Sequence, residues 1–504
     1  MRIKPEPESF AAVYAEGKPQ VVWTTLVADL ETPVSAYLKL AEGRPNAFLL
    51  ESVEGGATRG RYSMIGLKPD VMWRSDGRQA FTNRRVATHA DAFEPESLDP
   101  LQSLRALLSE SMIDMPDDLP PMAAGVFGYL SYDMVRLMED LPEPNPDVLG
   151  VPDALMMRPT IMVIFDAVKD EITIVTPVRP DAALSAEAAL MRAQERISDV
   201  VDALDKPLTK PDADATDHPL PELISNTSKA EFLDMVAQAK EYIAAGDIFQ
   251  VVLSQRFEAP FELPPFALYR ALRRVNPAPF LVFLDFGGFQ IVCSSPEILV
   301  RLRDGVVTIR PIAGTRPRGA TPAEDRELAD DLLADPKERA EHLMLLDLGR
   351  NDVGRVAEIG TVEVTDQFFL EYYSHVMHIV SNVEGRIADG HDAIDALVAG
   401  FPAGTVSGAP KVRAMEIIDE LEKEKRGVYA GCVGYFGANG SMDTCIALRT
   451  SVIKNGRMYA QAGAGIVADS VPESENQECL NKARAQFRAA EEAVRFASQS
   501  KRGQ

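Results

Sequence analysis

The sequence predicts an α+β fold in its second half, with helices covering antiparallel sheets. The first observation is a pair of β-hairpins, whose strands lie at 280–286 and 289–294 and at 446–453 and 457–462. Gly287-Gly288 and Asn455-Gly456 supply the two turns. The second observation is a set of helical patterns between or after the hairpins, at 228–245, about 336–348, 411–424 and 475–497. Hairpins imply antiparallel pairing, and apolar helix faces need a sheet to cover.

The most clearly delimited of these elements is the helix at 228–245. Ser228 and Glu231 have the spacing of a capping box, and Gly246 is a typical helix stop. A strand is predicted directly afterwards, at 248–257. This part of the chain is therefore predicted to be a helix followed directly by a strand.

A change of composition at 205–222 suggests a division of the chain. Prolines, aspartates and small residues replace the apolar periodicity there, so we interpret this stretch as a linker or long surface loop. An N-terminal region at 1–204, ending in a helix at 182–204, would precede it. A catalytic region would follow at 223–497.

Charge and composition exclude several functional classes. Lys and Arg total 52 and Asp and Glu total 76 in 504 residues, a net charge of -24 that disfavours nucleic acid as a partner. An acidic substrate is still possible if a metal ion bridges it to the protein. No apolar run is long enough to span a membrane or serve as a secretion signal, and the four scattered cysteines are typical of free thiols in a reducing compartment. We expect a cytoplasmic protein.

Two predicted helices begin with a pair of glutamates three residues apart. The pairs are Glu338 with Glu341 and Glu475 with Glu478. We expect Asp335 and Ser474 to cap the two helices. Such pairs commonly do no more than complement the positive end of a helix. Alternatively, the two acidic faces converge on one cation, for which oxygen ligands on rigid helices favour Mg²⁺.

Two glycine-rich stretches do not fit nucleotide-binding loops. In 402–411 the glycine spacing and Pro410 depart from the phosphate-loop pattern. In 460–472 we expect Pro472 to come too early for a long crossover helix. Exposed amides at Gly463 and Gly465 remain as candidate carboxylate ligands, together with Arg449. His375 and His378 lie among apolar residues, a pattern more typical of satisfied core histidines than of catalysts.

Taken together, these segments resemble the chorismate-utilising enzymes, and among them the large subunits of anthranilate synthases, from about residue 46 to 495. The segments that carry the resemblance are GDIFQVVLSQRF (246–257), SSPE (294–297), PIAGT (311–315), DPKERAEHLMLLDLGRND (335–352), PAGTVSGAPKVRAME (402–416), DTCIALRT (443–450), QAGAG (461–465) and ENQECLNKARA (475–485). The resemblance implies antiparallel sheets packed in a sandwich and covered by helices. It also implies that Glu341 and Glu478 hold Mg²⁺, with Glu338 and Glu475 nearby. This Mg²⁺ would bind the ring carboxylate of chorismate.

The resemblance assigns roles to further residues. Its implied substrate-binding set is Thr315, Thr405, Tyr429, Arg449, Gly463 and Gly465, of which the last four would hold the pyruvyl carboxylate. Glu297 would be the general acid that protonates the departing ring hydroxyl, which requires a raised pKa. His378 would line the pocket and assist around carbon 1 and the leaving hydroxyl.

Two positions distinguish members of this family by their chemistry. Enzymes that add water at carbon 2 carry a lysine base where this chain has Gln250, and many aminodeoxychorismate synthases carry a nucleophilic lysine where this chain has Ala313. Both replacements favour attack by ammonia at carbon 2 and formation of anthranilate. The alternatives are an aminodeoxychorismate synthase component I, since some lack that lysine, and a catalytically silent tryptophan-sensing subunit.

The resemblance also implies regulation and a partner. LLES (49–52) and NPAPF (276–280) resemble the tryptophan feedback site, which would involve Glu51, Ser52, Asn276, Pro277 and Pro279. None of the four cysteines lies in a glycine-flanked nucleophile sequence such as GxCxG. We therefore expect a separate glutamine amidotransferase subunit to supply the ammonia.

Overall fold

A computed structural model describes residues 1–41, 43–54, 58–208, 222–373 and 376–497. Its helices are α1 (Pro7–Ala15), α2 (Pro33–Ala41), α3 (Pro100–Ser111), α4 (Ala186–Leu204), α5 (Lys229–Ala245), α6 (Pro265–Val275), α7 (Pro322–Ala334), α8 (Pro336–Gly354), α9 (Ala393–Gly400), α10 (Lys411–Leu421) and α11 (Pro472–Ala497), with short 3₁₀ turns at Pro121–Ala123, Tyr132–Leu137 and Gly404–Val406. Its strands are β1 (Gln20–Val27), β2 (Ala47–Glu54), β3 (Thr58–Asp76), β4 (Gln79–Asn83), β5 (Glu94–Pro95), β6 (Gly125–Leu130), β7 (Ala154–Asp166), β8 (Glu171–Val178), β9 (Ile224–Ser225), β10 (Gln250–Pro260), β11 (Phe280–Asp285), β12 (Gln290–Ser295), β13 (Ile298–Arg303), β14 (Val306–Ile309), β15 (Ile312–Pro317), β16 (Glu363–Tyr372), β17 (Val376–Arg386), β18 (Gly408–Ala409), β19 (Cys432–Gly437), β20 (Met442–Ile446), β21 (Thr450–Lys454) and β22 (Arg457–Ile466).

The strands pair antiparallel and enclose an apolar layer, as predicted. Strand faces alternate, so Phe48 and Leu50 of β2 enter one apolar cluster with Phe127 of β6, while Leu49 points to another. The cluster that contains Leu49 includes residues of α1, α2, α4, α6 and α11. A third cluster packs α3, α5, α9 and α10 on the remaining sheet face. The antiparallel strands thus form a sandwich with helices outside, which confirms the predicted fold class.

Strands from the two predicted regions pair directly with each other. β2 pairs with β11 and β6 pairs with β19, so both halves of the chain contribute to continuous sheet. The proposed division at 205–222 stays a prediction, and most of that segment lies outside the described residues.

The individual elements follow the sequence patterns closely, with three differences. Helix α5 begins at a complete capping box of Ser228 and Glu231, and α8 is capped by Asp335, whose carboxylate accepts from the amides of Lys337 and Glu338. The strand predicted at 446–453 is interrupted, because Arg449 has a positive φ of 49° between β20 and β21.

Helix α11 accounts for the other two differences. It begins at Pro472 and runs for 26 residues, so the prediction that Pro472 comes too early for a long helix was wrong. A proline has no amide hydrogen and is therefore well suited to the first turn. Ser474 lies inside that turn and donates its own amide to Val471 O at 2.9 Å, so it is not the cap.

In the described part of the chain, no helix is long and apolar enough to cross a bilayer. The four cysteines are free thiols and all are buried.

Candidate active site

The candidate residues converge where β10, β15, β17 and β22 meet the first turns of α8 and α11. Gln250 begins β10, and Gly463 and Gly465 lie opposite Ser254 and Val252 of β10. Helix α8 packs on β15 and β17, and α11 packs on β22. The fold thereby brings the two acidic helix starts to one end of the sheet.

The two acidic helix starts lie near each other, and their carboxylates affect each other's pKa. Burial raises the pKa of Glu341, and the neighbouring carboxylates of Glu338 and Glu478 raise it further. Gln250 opposes this rise by donating Nε2 to Glu341 Oε1 at 3.3 Å. The pKa of Glu475 is also raised, first by burial and then by Glu478. The negative charges of α8 and α11 therefore repel each other across the gap between the two helix starts.

The donor set fits Mg²⁺ better than a metal that needs a full protein shell. Among the described residues, no group of three or more His, Cys, Asp or Glu side chains is gathered closely enough to hold a metal ion. Glu338 is instead ion-paired with Arg316 at 3.1 Å, and Glu478 with Lys482 at 2.7 Å. Mg²⁺ is commonly bound by one or two carboxylates, with waters and a substrate oxygen completing the shell. Gln250 Oε1, buried without a hydrogen bond, is a further polar atom beside Glu341.

Glu297 is a buried carboxyl group in the two-residue connection between β12 and β13. Burial raises its pKa to about 8, although the amide of Ile312 and the hydroxyl of Thr405 both favour the charged form. A carboxyl group in this state is protonated near neutral pH and can donate its proton.

The hydroxyl of Thr405 is held beside Glu297 by a buried arginine. Arg426 donates to Val406 O at 2.7 Å and to Val252 O at 2.6 Å, which fixes the 3₁₀ turn Gly404–Val406 to β10. Thr405 Oγ1 is itself buried and has no hydrogen bond of ordinary geometry with any described residue. From its position beside the Glu297 carboxyl group, this hydroxyl can also contact a ligand bound there.

His378 is an uncharged imidazole with a defined tautomer. Its Nδ1 lies 3.2 Å from Gly314 O, which can only accept a hydrogen bond, and 3.0 Å from Thr315 Oγ1. The proton therefore sits on Nδ1, and Nε2 carries the free lone pair. Burial and the positive charge of Arg449 lower the pKa of His378 to about 4. The sequence pattern suggested a satisfied core histidine, whereas the resemblance suggested a pocket residue. His378 is buried, and none of the hydrogen bonds among the described residues involves its Nε2. His375 lies outside the described residues.

Arg449 presents a desolvated guanidinium with no acidic partner. No carboxylate of the described residues lies within ion-pair distance of it, and burial lowers its pKa while Tyr373 raises it. Its positive φ of 49° places it in the break between β20 and β21, where its carbonyl accepts from Ser294 N at 3.2 Å. A half-buried guanidinium with no carboxylate partner among the described residues is a strong candidate receptor for a carboxylate.

The two glycines of β22 present an open strand edge. β21 pairs with β22 only as far as Ala460, and beyond it Gly463 O accepts from Lys482 Nζ at 2.9 Å. The amide and carbonyl of one residue point to the same side of a strand, so Gly463 and Gly465 both direct their amides to this edge. A Cβ on Gly463 would lie 2.8 Å from Tyr429 Oη, and one on Gly465 would lie 2.6 Å from Gln250 Nε2. A Cβ on Gly463 would also lie 2.9 Å from the backbone oxygen of Leu253, so that position requires glycine.

Two residues at this site escaped the sequence reasoning. Lys482 pairs with Glu478 and affects the pKa of both Glu341 and His378, which places it between the acidic helix starts and the imidazole. Its i, i+4 spacing from Glu478 was the available signal. Tyr373 stacks its ring edge-on to His378 with centroids 5.4 Å apart and influences the pKa of Arg449. No sequence pattern marked Tyr373, since its neighbour Tyr372 is equally aromatic.

The two segments proposed for inhibitor binding are also brought together. β2 and β11 pair so that Ser52 lies opposite Phe280, directly after the NPAP turn. Glu51 is buried and accepts from Arg273 at 2.6 and 3.0 Å and from the hydroxyl of Tyr269. Ser52 donates to Tyr62 O at 3.1 Å. Asn276 directly follows α6, and its buried Nδ2 has no hydrogen-bond partner in the described part of the chain. Pro277 and Pro279 follow it and are half-buried.

Two cavities lie elsewhere on the molecule. One, of about 570 Å³, is lined by residues that include Arg105, Leu302, His391 and Phe436; the other, of about 640 Å³, shares Met112, Asp304 and Asn439 with it. Neither contains any of the candidate site residues.

Comparison with known proteins agrees with this geometry. Residues 46–488 match the family model described as chorismate binding enzyme. The chain is 59% identical to anthranilate synthase component 1 of Cereibacter sphaeroides, over 98% of this chain and 99% of that protein. It is 48% identical to anthranilate synthase component 1 of Pseudomonas aeruginosa, over 97% and 99% of the two chains.

Solved structures show the same similarity. The crystal structure of anthranilate synthase component I from Streptococcus pneumoniae superposes with a TM-score of 0.75 at 37% identity, covering 92% of this chain and 99% of that one. The menaquinone-specific isochorismate synthase of Escherichia coli superposes with a TM-score of 0.70 at 19% identity, covering 96% and 100%, and so shares the fold.

Proposed function

The chain belongs to the chorismate-binding enzyme family, and from this premise we propose that it catalyses the anthranilate synthase reaction, in which chorismate and ammonia give anthranilate and pyruvate. The observation that carries the proposal is the meeting of three groups around Tyr373. These are a protonated buried carboxyl, Glu297, an uncharged imidazole, His378, and an unpaired guanidinium, Arg449. A dicarboxylate whose ring loses a hydroxyl group needs this combination of charges.

The two carboxylates of chorismate have separate candidate anchors. We assign the pyruvyl carboxylate to Arg449 and to the amides of Gly463 and Gly465, with Tyr429 against the same strand. We assign the ring carboxylate to the gap between Glu341 and Glu478. Mg²⁺ bound to these two glutamates would supply the positive charge that the carboxylate requires there. The acidic helix starts alone would repel it.

Glu297 is the proposed general acid. Its proton goes to the departing ring hydroxyl, which leaves as water while ammonia forms a new bond at carbon 2. The Thr405 hydroxyl beside it favours the carboxylate that results. Loss of the pyruvyl group as pyruvate and of a ring proton then gives the aromatic product. His378 Nε2, which carries a lone pair, is available to accept a hydrogen bond or a proton near carbon 1.

The nucleophile is proposed to be ammonia because the two positions that carry a lysine in the alternative enzymes hold Gln250 and Ala313 here. Gln250 is a neutral amide whose Nε2 donates to Glu341, so it cannot activate water. Ala313, on β15 opposite Ile379, cannot attack the ring. All four thiols are buried, which supports a partner glutamine amidotransferase as the source of ammonia.

We further propose that tryptophan inhibits the enzyme at the junction of β2 and β11. Support comes from the adjacency of Glu51 and Ser52 to the 276–280 turn and from the unpartnered Asn276 Nδ2. An inhibitor there would favour a domain arrangement different from the one that chorismate favours.

The test is to incubate the purified chain with chorismate, Mg²⁺ and an ammonium salt at mildly alkaline pH and to identify the product by fluorescence and mass. We expect anthranilate, with a rate that tryptophan suppresses. A 4-amino product would assign the chain to the aminodeoxychorismate synthases, and isochorismate would show that water is the nucleophile. Anthranilate formation that tryptophan leaves unchanged would remove the regulatory proposal alone.

A further inference from the structure

His378 has a cross-strand neighbour on each side. Glu371 of β16 is the cross-strand partner of His378 on β17, and Thr315 of β15 is its partner on the other side. Directly opposed residues place their side chains on one face, with Cβ atoms about 5 Å apart. The Glu371 carboxylate is therefore positioned to reach the His378 imidazole.

Glu371 is nevertheless engaged elsewhere. Arg310 donates Nη2 to Glu371 Oε1 at 2.5 Å, and Tyr373 donates its hydroxyl to Glu371 Oε2 at 2.8 Å. Both carboxylate oxygens are thus occupied, while His378 Nδ1 donates to the carbonyl of Gly314. Tyr373 also packs its ring edge-on against the imidazole, with an interplanar angle of 64°.

We propose that Arg310 and Tyr373 are positioning residues that hold the Glu371 carboxylate away from His378, so that the imidazole stays uncharged and presents the Nε2 lone pair to the substrate. A carboxylate released onto the imidazole would instead favour the imidazolium ion, which has no lone pair. Tyr373 thereby acts on the reaction through His378, and its hydroxyl proton stays in the hydrogen bond to Glu371.

Two positive charges that face His378 also favour its uncharged form. Arg449, from the break between β20 and β21, and Lys482, from α11, both lower its pKa, whereas Glu371 raises it. On the α8 side, Glu338 is ion-paired with Arg316. Glu297 also lies near Tyr373 but is protonated near neutral pH, so among the described residues Glu371 is the carboxylate that raises the pKa of this imidazole. Its restraint therefore controls the charge state.

The chain supplies a matched control for a test. Tyr373→Phe removes only the hydroxyl and keeps the ring that contacts His378. Tyr372→Phe makes the same change one residue earlier, on the opposite face of β16, where the ring is partly exposed and lies under Arg318. Glu371→Gln combined with Tyr373→Phe removes the released charge and serves as the rescue variant.

The decisive measurement is an NMR titration of the histidine side chains of the full chain, which contains six histidines, with His378→Gln identifying the relevant signal. We expect Tyr373→Phe to raise the titration midpoint of His378 by about one pH unit, as an opposite charge within reach does. Arg310→Gln should raise it in the same direction. Tyr372→Phe should leave it unchanged, and the Glu371→Gln/Tyr373→Phe double variant should return it to its starting value.

An unchanged midpoint in Tyr373→Phe, or an equal rise in the double variant, would overturn the inference. Its catalytic consequence rests on the proposed function: the acid limb of the pH profile for anthranilate formation should move to higher pH in Tyr373→Phe and return in the double variant. If no variant, including the unaltered chain, made anthranilate, the proposed function would fail while the NMR titration still decided the inference.

Discussion

The proposed catalytic centre and the β2–β11 junction differ in whether their charged groups are paired. At the centre, Arg449 has no carboxylate partner among the described residues, and Thr405 Oγ1 has the Glu297 carboxyl group beside it. At the junction, Glu51 is held by Arg273 and Tyr269, and Ser52 is held by Tyr62 O. Buried groups without partners cost stability, so a site that keeps them is prepared for a ligand that supplies the missing partners.

The difference indicates how each site would respond to its ligand. A substrate at the centre completes interactions that are already aimed at it, which favours a rigid site. An amino acid at the junction has to compete with the existing Glu51–Arg273 ion pair for the same carboxylate. Rearranging that pair provides a physical means of coupling the junction to the sheet it shares with the centre, since β11 pairs with both β2 and β12.

The largest expected effect comes from the acidic helix starts. Glu478→Gln removes one of the two charges proposed to hold Mg²⁺, and we expect anthranilate formation to fall by about 10³-fold or more, because the ring carboxylate loses its anchor. Glu473→Gln, an exposed change in the same turn of α11, is the control and should retain nearly full activity. Full turnover by Glu478→Gln would refute the assignment of this residue.

The next effect concerns the general acid. Glu297→Gln should lower kcat by about 10²–10⁴-fold, with folding preserved, because an amide cannot deliver the proton. In the unaltered chain, kcat should decline as the pH rises through about 8, where Glu297 loses that proton. A Glu297→Gln variant with ordinary kcat would assign the proton donation to another group.

The Glu297→Gln substitution should also show how much the buried Glu297 carboxyl group lowers the stability of the fold. The pKa of Glu297 is raised from 4.5 to about 8 in the folded state, so the protonated form is favoured and stability declines as the pH rises from near 4.5 to near 8. Glu297→Gln should therefore stabilise the fold by on the order of 1–3 kcal/mol at pH 8.5, and much less at pH 4.5. Urea denaturation at the two pH values measures the difference; a loss of stability at pH 8.5 would contradict it.

At the β2–β11 junction, a Glu→Gln substitution should destabilise the fold, whereas Glu297→Gln should stabilise it. Glu51→Gln leaves the Arg273 guanidinium with a weakened partner and should destabilise the protein by about 2 kcal/mol, less than the loss for a fully buried pair, because Arg273 is partly exposed. Turnover without tryptophan should change less than about threefold, while inhibition by tryptophan should weaken. Arg457→Gln, at a half-exposed ion pair with Glu258, is the control and should cost less than about 0.5 kcal/mol. Equal losses of unfolding free energy in Glu51→Gln and Arg457→Gln would contradict this expectation.

Local patterns were enough to predict most elements, because their causes are local. The capping box at Ser228, the cap at Asp335 and the turn at 455–456 each act within a few residues of chain. Where a tertiary contact decided the outcome, prediction failed: the strand expected at 446–453 breaks at Arg449, whose carbonyl is bound by Ser294 on another strand.

The sequence by itself determined the family, the fold class and the identity of the groups that could act, since motif residues and their spacing are written in the chain. Only the tertiary structure decided the state of those groups. Burial makes Glu297 an acid near neutral pH, the carbonyl of Gly314 selects the tautomer of His378, and the absence of a nearby carboxylate among the described residues leaves Arg449 open to a ligand. Desolvation and cross-strand neighbours set these properties, and both depend on residues far apart in the chain.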